Sequence, residues 1–227
     1  MGAVLEMTRL GFIGAASLAL LAACGPLNEG GFGSQVAGLI AARTGLGPAP
    51  EPAAAPAPAG VPKAQALANP GTLMRVGVRN TNRFDTMVIA GRNGSRVTWV
   101  DTQGMAVTLE GGLIVATRGL PRDLMGAEVG ESRAALRSGS GSSRRIHDYL
   151  DDLDQIQREL LLCSIETKAR ETIEILDIPH ATRRLEETCR GEVISFTNIY
   201  WVKGDGRVLR SLQAVSPEAG YLQIDVY

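Results

Sequence analysis

Val193–Tyr227 reads VISFTNIYWVKGDGRVLRSLQAVSPEAGYLQIDVY, and this stretch decides the fold. Val193 to Val202 is dense in β-branched and aromatic residues, which pack well on a pleated surface. Lys203-Gly204-Asp205-Gly206 is a tight turn, and Arg207 to Val215 runs back. Ser216-Pro217-Glu218-Ala219-Gly220 turns once more before Tyr221 to Tyr227. Strands joined by turns this short must be antiparallel, because a parallel pair needs a crossover of a dozen or more residues.

The same grammar extends upstream. Thr86 to Ala90 is β-prone, Asn93-Gly94 is a strong hairpin signal, and Arg96 to Val100 follows. Asp101 to Gly104 turns into Met105 to Leu109, and Glu110-Gly111-Gly112 turns into Leu113 to Thr117. Residues 130–144 contain Arg137-Ser-Gly-Ser-Gly-Ser-Ser143, which reads as a flexible loop. Residues 145–162 carry two readings. Ile146, Tyr149, Leu150, Leu153, Ile156 and Leu160 fit one helical face. Alternatively, Asp151-Asp152-Leu153-Asp154 is a turn, Leu160 to Ile165 is a strand through Cys163, and Thr172 to Leu176 is its partner. The flanking strands favour the second. The expectation is all-β, one domain of antiparallel meandering strands over residues 72–227.

The other end of the chain is of a different kind. Leu10 to Ala23, LGFIGAASLALLAA, is fourteen uncharged, mostly apolar residues behind Arg9. A spanning helix needs about twenty. Fourteen suits the apolar core of a secretory signal. Glu6 is awkward in such a signal, and a start at Met7 instead of Met1 removes it. The run ends Leu21-Ala22-Ala23-Cys24-Gly25, and a Leu-small-small-Cys ending resembles the lipobox of bacterial lipoproteins. That resemblance implies cleavage after residue 23 and acylation of Cys24, with two or three chains giving a stable membrane anchor. Gly25 is not the Asp that marks retention in the inner membrane, so the outer membrane, facing the periplasm, is expected.

Residues 24–71 join signal to domain. Val36 to Ala42 is a small apolar stretch suited to a short helix, and TGLGPAPEPAAAPAPAGVPKAQALANPG over 44–71 reads as a semi-rigid Pro/Ala tether. Export implies an oxidising compartment, where a bridge between Cys163 and Cys189 can persist. Closing that loop would stabilise by roughly 3.5 kcal/mol. The alternative is two buried thiols; no CxxC pair or His-rich tract accompanies them to suggest metal.

Gly112-Leu-Ile-Val-Ala-Thr-Arg-Gly-Leu-Pro-Arg-Asp-Leu124, then Asn198-Ile-Tyr-Trp-Val202 with Gly206, Ser211 and Gln213, resemble the YjbF/GfcB-type lipoproteins, also called group 4 capsule polysaccharide lipoproteins. Leu162-Cys163 and Glu187-Thr188-Cys189 fit that family's paired cysteines. Lys203 departs from it, standing where an acid is more usual. The resemblance covers the lipobox and residues 72–227, but not the Pro/Ala tether. It implies a curved sheet or half-barrel and a role at the outer membrane in making or exporting capsule or exopolysaccharide, with no established reaction.

Net charge is −1 and no basic block stands out, so no nucleic-acid partner is indicated. Aromatics at 4% are thin for stacking sugars along a groove. No catalytic constellation assembles, and no cofactor is implied. His147 and His180 lie far apart, Gly-x-Ser-x-Gly is absent, and Gly204-Asp205-Gly206 is a turn. Asp148, Asp151, Asp152 and Asp154 form the best acidic group, read as solvating a turn. Glu186-Glu187 beside Arg183-Arg184 reads as mixed-charge surface. Tyr200 and Trp201 face opposite sides of a strand and cannot both be core in a one-sided sheet. Three functions remain: an accessory export lipoprotein that binds polymer or export proteins, a periplasmic lipid or lipoprotein carrier, and a polysaccharide hydrolase. A roomy apolar concavity points to the carrier. Facing carboxylates in a cleft point to the hydrolase.

Overall fold

The computed structural model describes residues 63–81 and 83–227. The signal segment, Cys24, the 36–42 stretch and most of the tether lie outside the described residues. The folded part reaches upstream of residue 72. Helix α1, Lys63–Ala68, buries Ala66, and Gly71 donates its backbone N–H to the carbonyl of Tyr227.

Twelve strands follow: β1 Leu73–Val78, β2 Arg83–Asn93, β3 Arg96–Val100, β4 Ala106–Glu110, β5 Leu113–Arg118, β6 Gly126–Glu128, β7 Ser140–Leu150, β8 Ile156–Ile175, β9 Ile178–Arg190, β10 Ser195–Lys203, β11 Val208–Ser216 and β12 Gly220–Val226. They form one antiparallel sheet in the order β5-β4-β3-β2-β1-β12-β11-β10-β9-β8-β7-β6. Pairing of β1 with β12 joins two meanders back to back. The free edges β5 and β6 come together where the N–H of Thr117 donates to the carbonyl of Leu124, while the N–H of Met125 ties the start of β6 to Asp148 of β7. The sheet is a nearly closed barrel, as the expected half-barrel foreshadowed.

One expectation on the closing side needs correction. The segment read as a flexible loop begins as helix α2, Gly130–Ser138, which ends at Gly139 with φ 94° and an N–H bonded to Ala135. Strand β6 covers only residues 146–148 of β7, and α2 packs beside Ser143 and Arg144 further along that edge. Glu131 of α2 accepts from the backbone N–H of Arg144 at 2.8 Å, blunting an otherwise open strand. Of the two readings of 145–162, the favoured one with a turn at 151–154 holds. Asp151 Oδ1 accepts from the N–H groups of Leu153 and Gln155, both at 2.9 Å, and makes the turn the acid cluster had suggested.

Strand β8, however, does not end near Ile165 and pair with 172–176. It runs unbroken for twenty residues, pairing with β9 from Leu162 to Ile175, because 166–171 holds no turn-forming residue. A register shift between Thr167 and Ala169 bends it instead. Its far half folds over the outer face of β10 and β11, where Ile173 and Ile175 pack with Ile199, Trp201, Leu209 and Leu212. That strap explains a third correction: Tyr200 (0% exposed) and Trp201 (5%) are both buried, one in the barrel core and one beneath the strap.

Candidate functional site

The motif residues that carried the resemblance turn out to be structural neighbours. Asp123 accepts from Thr117 Oγ1 at 2.7 Å and from the N–H of Gly119 at 2.8 Å, and Thr117 Oγ1 accepts from the N–H of Leu124 at 3.0 Å. The segment from Thr117 to Leu124 is thus the turn that carries the chain from β5 to β6 and brings the edges together. Asn198, Tyr200, Ser211 and Gln213 alternate along β10 and β11, so all four point inward. Gln213 donates to the carbonyl of Gly112 at 2.8 Å and accepts from the N–H of Ile114 at 2.9 Å. Its amide stands in for a peptide group and holds β5 across the barrel.

Below that clamp lies a buried ion pair. Arg145 Nη1 donates to Glu187 Oε2 at 2.7 Å. Tyr200 Oη and Asn198 Nδ2 donate to the same oxygen at 2.7 and 2.9 Å. Glu187 is therefore not part of a mixed-charge surface. Period-two alternation along β9 turns it inward with Leu185 and Cys189, leaving Glu186 outside. Burial acts to raise its carboxyl, but Arg145 and the hydrogen-bonding groups of Ser132, Asn198 and Tyr200 outweigh burial and hold it below the ordinary value. Burial and then Glu187's charge push the Tyr200 phenol well up.

His147 is fully buried beside this pair, stacked on Phe196 with ring centroids 5.5 Å apart. Tyr149 spends its hydroxyl proton on the carbonyl of Val215 at 2.7 Å, so at 3.0 Å His147 Nδ1 must donate to the Tyr149 oxygen. Nε2 is then a bare lone pair with no partner among the described residues. Burial first, and Arg145's charge second, depress this imidazole far below its usual value and keep it neutral. Cys163 and Cys189, opposite one another on β8 and β9, form a disulfide. Their sulfurs lie near Glu187, but a bonded pair offers no thiolate to a metal.

In a meander alternate turns fall at opposite ends. At the end holding the β7–β8, β9–β10 and β11–β12 turns is an open polar groove of about 810 Å³, with Arg122, Asp151, Asp152, Glu159, Glu192 and Glu218 along it. Asp148 is taken up by Arg158, Glu218 by Arg122, and Glu159 by the N–H of Val193. The other end is apolar. A hollow of about 510 Å³ opens there between α1, the β8–β9 tip and the β4–β5 and β10–β11 turns. Val97, Trp99, Leu109, Val208, Ile178 and Val226 are among the residues that line it. His180 reaches its rim with Lys203 and Arg207, and burial followed by these two charges depresses His180.

Comparison with known proteins bears on these features. No curated protein matches the chain. A crystal structure of the hypothetical lipoprotein YmcC from Escherichia coli (K12) superposes with a TM-score of 0.63 at 16% identity, over 73% of this chain and 87% of that one, a likeness of fold. The family model described as group 4 capsule polysaccharide lipoprotein gfcB, YjbF matches residues 53–226, which takes in α1, every strand and both motifs. The chain belongs to the YjbF family of group 4 capsule polysaccharide lipoproteins.

Proposed function

We propose that the chain is an outer-membrane lipoprotein, acylated at Cys24 after loss of residues 1–23, with an accessory, non-catalytic role in producing or exporting capsule or exopolysaccharide. The family match over residues 53–226 carries the reading. In it, the lipid holds the domain on the periplasmic side, and the barrel meets either the polymer or other export proteins. The placing of the acids supports a non-catalytic role. Hydrolysis of a glycosidic bond needs two carboxylates held across a reacting centre. Here Glu187 is taken by Arg145, Glu159 by backbone N–H, and Asp148 by Arg158.

The test is genetic. Deleting the gene should lower cell-bound or released polysaccharide, and the wild-type chain should restore it. Cys24→Ser should leave the protein soluble in the periplasm and restore little. Unchanged polysaccharide in the deletion strain would contradict the role, and unchanged membrane association of Cys24→Ser would contradict the anchor. The apolar hollow favours a second reading, a carrier for an apolar molecule, because the polar groove at the opposite end offers nothing to hold one.

A further inference from the structure

The hollow combines a greasy floor with a charged lip. Its volume of about 510 Å³ lies within the 300–1,000 Å³ common for small-molecule sites. Val97, Trp99 and Leu109 from β3 and β4 face Val208 and Val226 from β11 and β12 across it, so a hydrocarbon placed there is surrounded by carbon. The lip differs. Lys203 and Arg207 flank the β10–β11 turn with His180 near them. Asp205 pairs with Arg207 at 2.9 Å, while Lys203 has no ion pair among the described residues. A sugar would need many more hydrogen-bonding groups than this floor supplies. A neutral oil would have no use for the cations.

We propose that the hollow binds the hydrocarbon chain of a free single-chain amphiphile whose carboxylate or phosphate head rests against Lys203 and Arg207. The inference rests on the carrier reading and is independent of the polysaccharide role, since a polysaccharide phenotype can stand or fall without it. The head group gives orientation and selectivity, and the buried chain gives most of the affinity, because rim charges in water are individually weak.

Photolabelling tests it. The full lipoprotein in phosphatidylcholine nanodiscs is irradiated with palmitate bearing a diazirine in its chain, and the labelled peptides are mapped by mass spectrometry. Labels should fall on residues 96–100 and 207–209 and be competed by unlabelled palmitate. Methyl palmitate should compete about tenfold less well, and Lys203→Glu/Arg207→Glu should weaken palmitate competition about tenfold while leaving methyl palmitate unchanged. Labelling confined to the exposed Ile156, Leu160 and Leu162 on the outer face of β8 would overturn the site. Equal competition by acid and ester would overturn the role of the lip. Labelling that appears only in Cys24→Ala protein would overturn a free ligand, since the chain's own acyl group would then be filling the hollow.

Discussion

The barrel has two insides. Around Arg145 and Glu187 the interior is polar, filled and cross-braced: β7, β9, β10 and β11 lend side chains, and Gly112 and Ile114 add backbone groups. At the mouth beside α1 the interior is apolar and open. The difference separates two jobs. A buried ion pair seldom adds net stability over a packed apolar core, but breaking one is costly, so a knot of this kind makes the closed barrel sensitive to single substitutions. A lined hollow does the reverse: it forgoes packing and leaves room for another molecule. Of the motif residues, Asn198, Tyr200, Ser211 and Gln213 belong to the first inside, and Gly112 and Gly206 line the second.

The comparison can be broken from the polar side first. Glu187→Leu alone should strand a buried guanidinium and cost about 3–5 kcal/mol in urea unfolding, while Arg145→Met/Glu187→Leu should recover much of that. Equal losses in the single and double variants would mean that the pair is not coupled. Removing the disulfide with Cys163→Ala/Cys189→Ala should cost about 2–4 kcal/mol by the same assay. Gly112 joins the two insides. Its carbonyl accepts from Gln213, it lines the hollow, and its φ is 90°. A Cβ there would sit 2.6 Å from Val208 Cβ, part of a stiff branched side chain. Gly112→Ala should therefore cost about 1–3 kcal/mol, from backbone strain and crowding together.

Acid should loosen the knot in two stages. His147 is held neutral in the fold, so below about pH 6.5 the unfolded chain binds a proton that the folded chain refuses. Stability then falls with falling pH, approaching about 1.4 kcal/mol per unit for that one proton. Glu187 is depressed in the fold, so its contribution is complete above the ordinary carboxylate value and is lost as pH drops through and below it. Unfolding free energies measured at pH 7.5 and 5.5 should differ in the wild type and differ less in His147→Gln. The smallest effect belongs to the mouth: Lys203→Glu/Arg207→Glu should shift stability by less than about 0.5 kcal/mol, since both side chains lie at the rim.

Much of the architecture could be read from the chain. The β10–β11–β12 meander, the Asn93-Gly94 hairpin and the acid-built turn at 151–154 all follow local rules of strand and turn chemistry. What escaped was long-range. Arg145 and Glu187 each sit in a doublet of like charges, and such doublets look like surface. The available signal was the period of two, since Arg145 alternates with His147 and Tyr149, and Glu187 with Leu185 and Cys189. The α2 helix was hidden by its own Gly-Ser exit. The strap over Trp201 depends on one bulge in β8, which no local pattern announces. The hollow draws on residues spread from Ala66 to Tyr227, so no window of sequence contains it.

In the proposed non-catalytic role the barrel interior braces the fold and performs no chemistry, and one measurement tests this most directly. His147 is the buried interior base whose ring nitrogen has no partner among the described residues, and so the group best placed to move a proton. Polysaccharide would be measured in a deletion strain complemented by His147→Gln, with protein abundance matched to wild type by immunoblot. Full restoration of polysaccharide is the predicted result. A null phenotype at equal protein level would contradict the claim and make the interior an active centre.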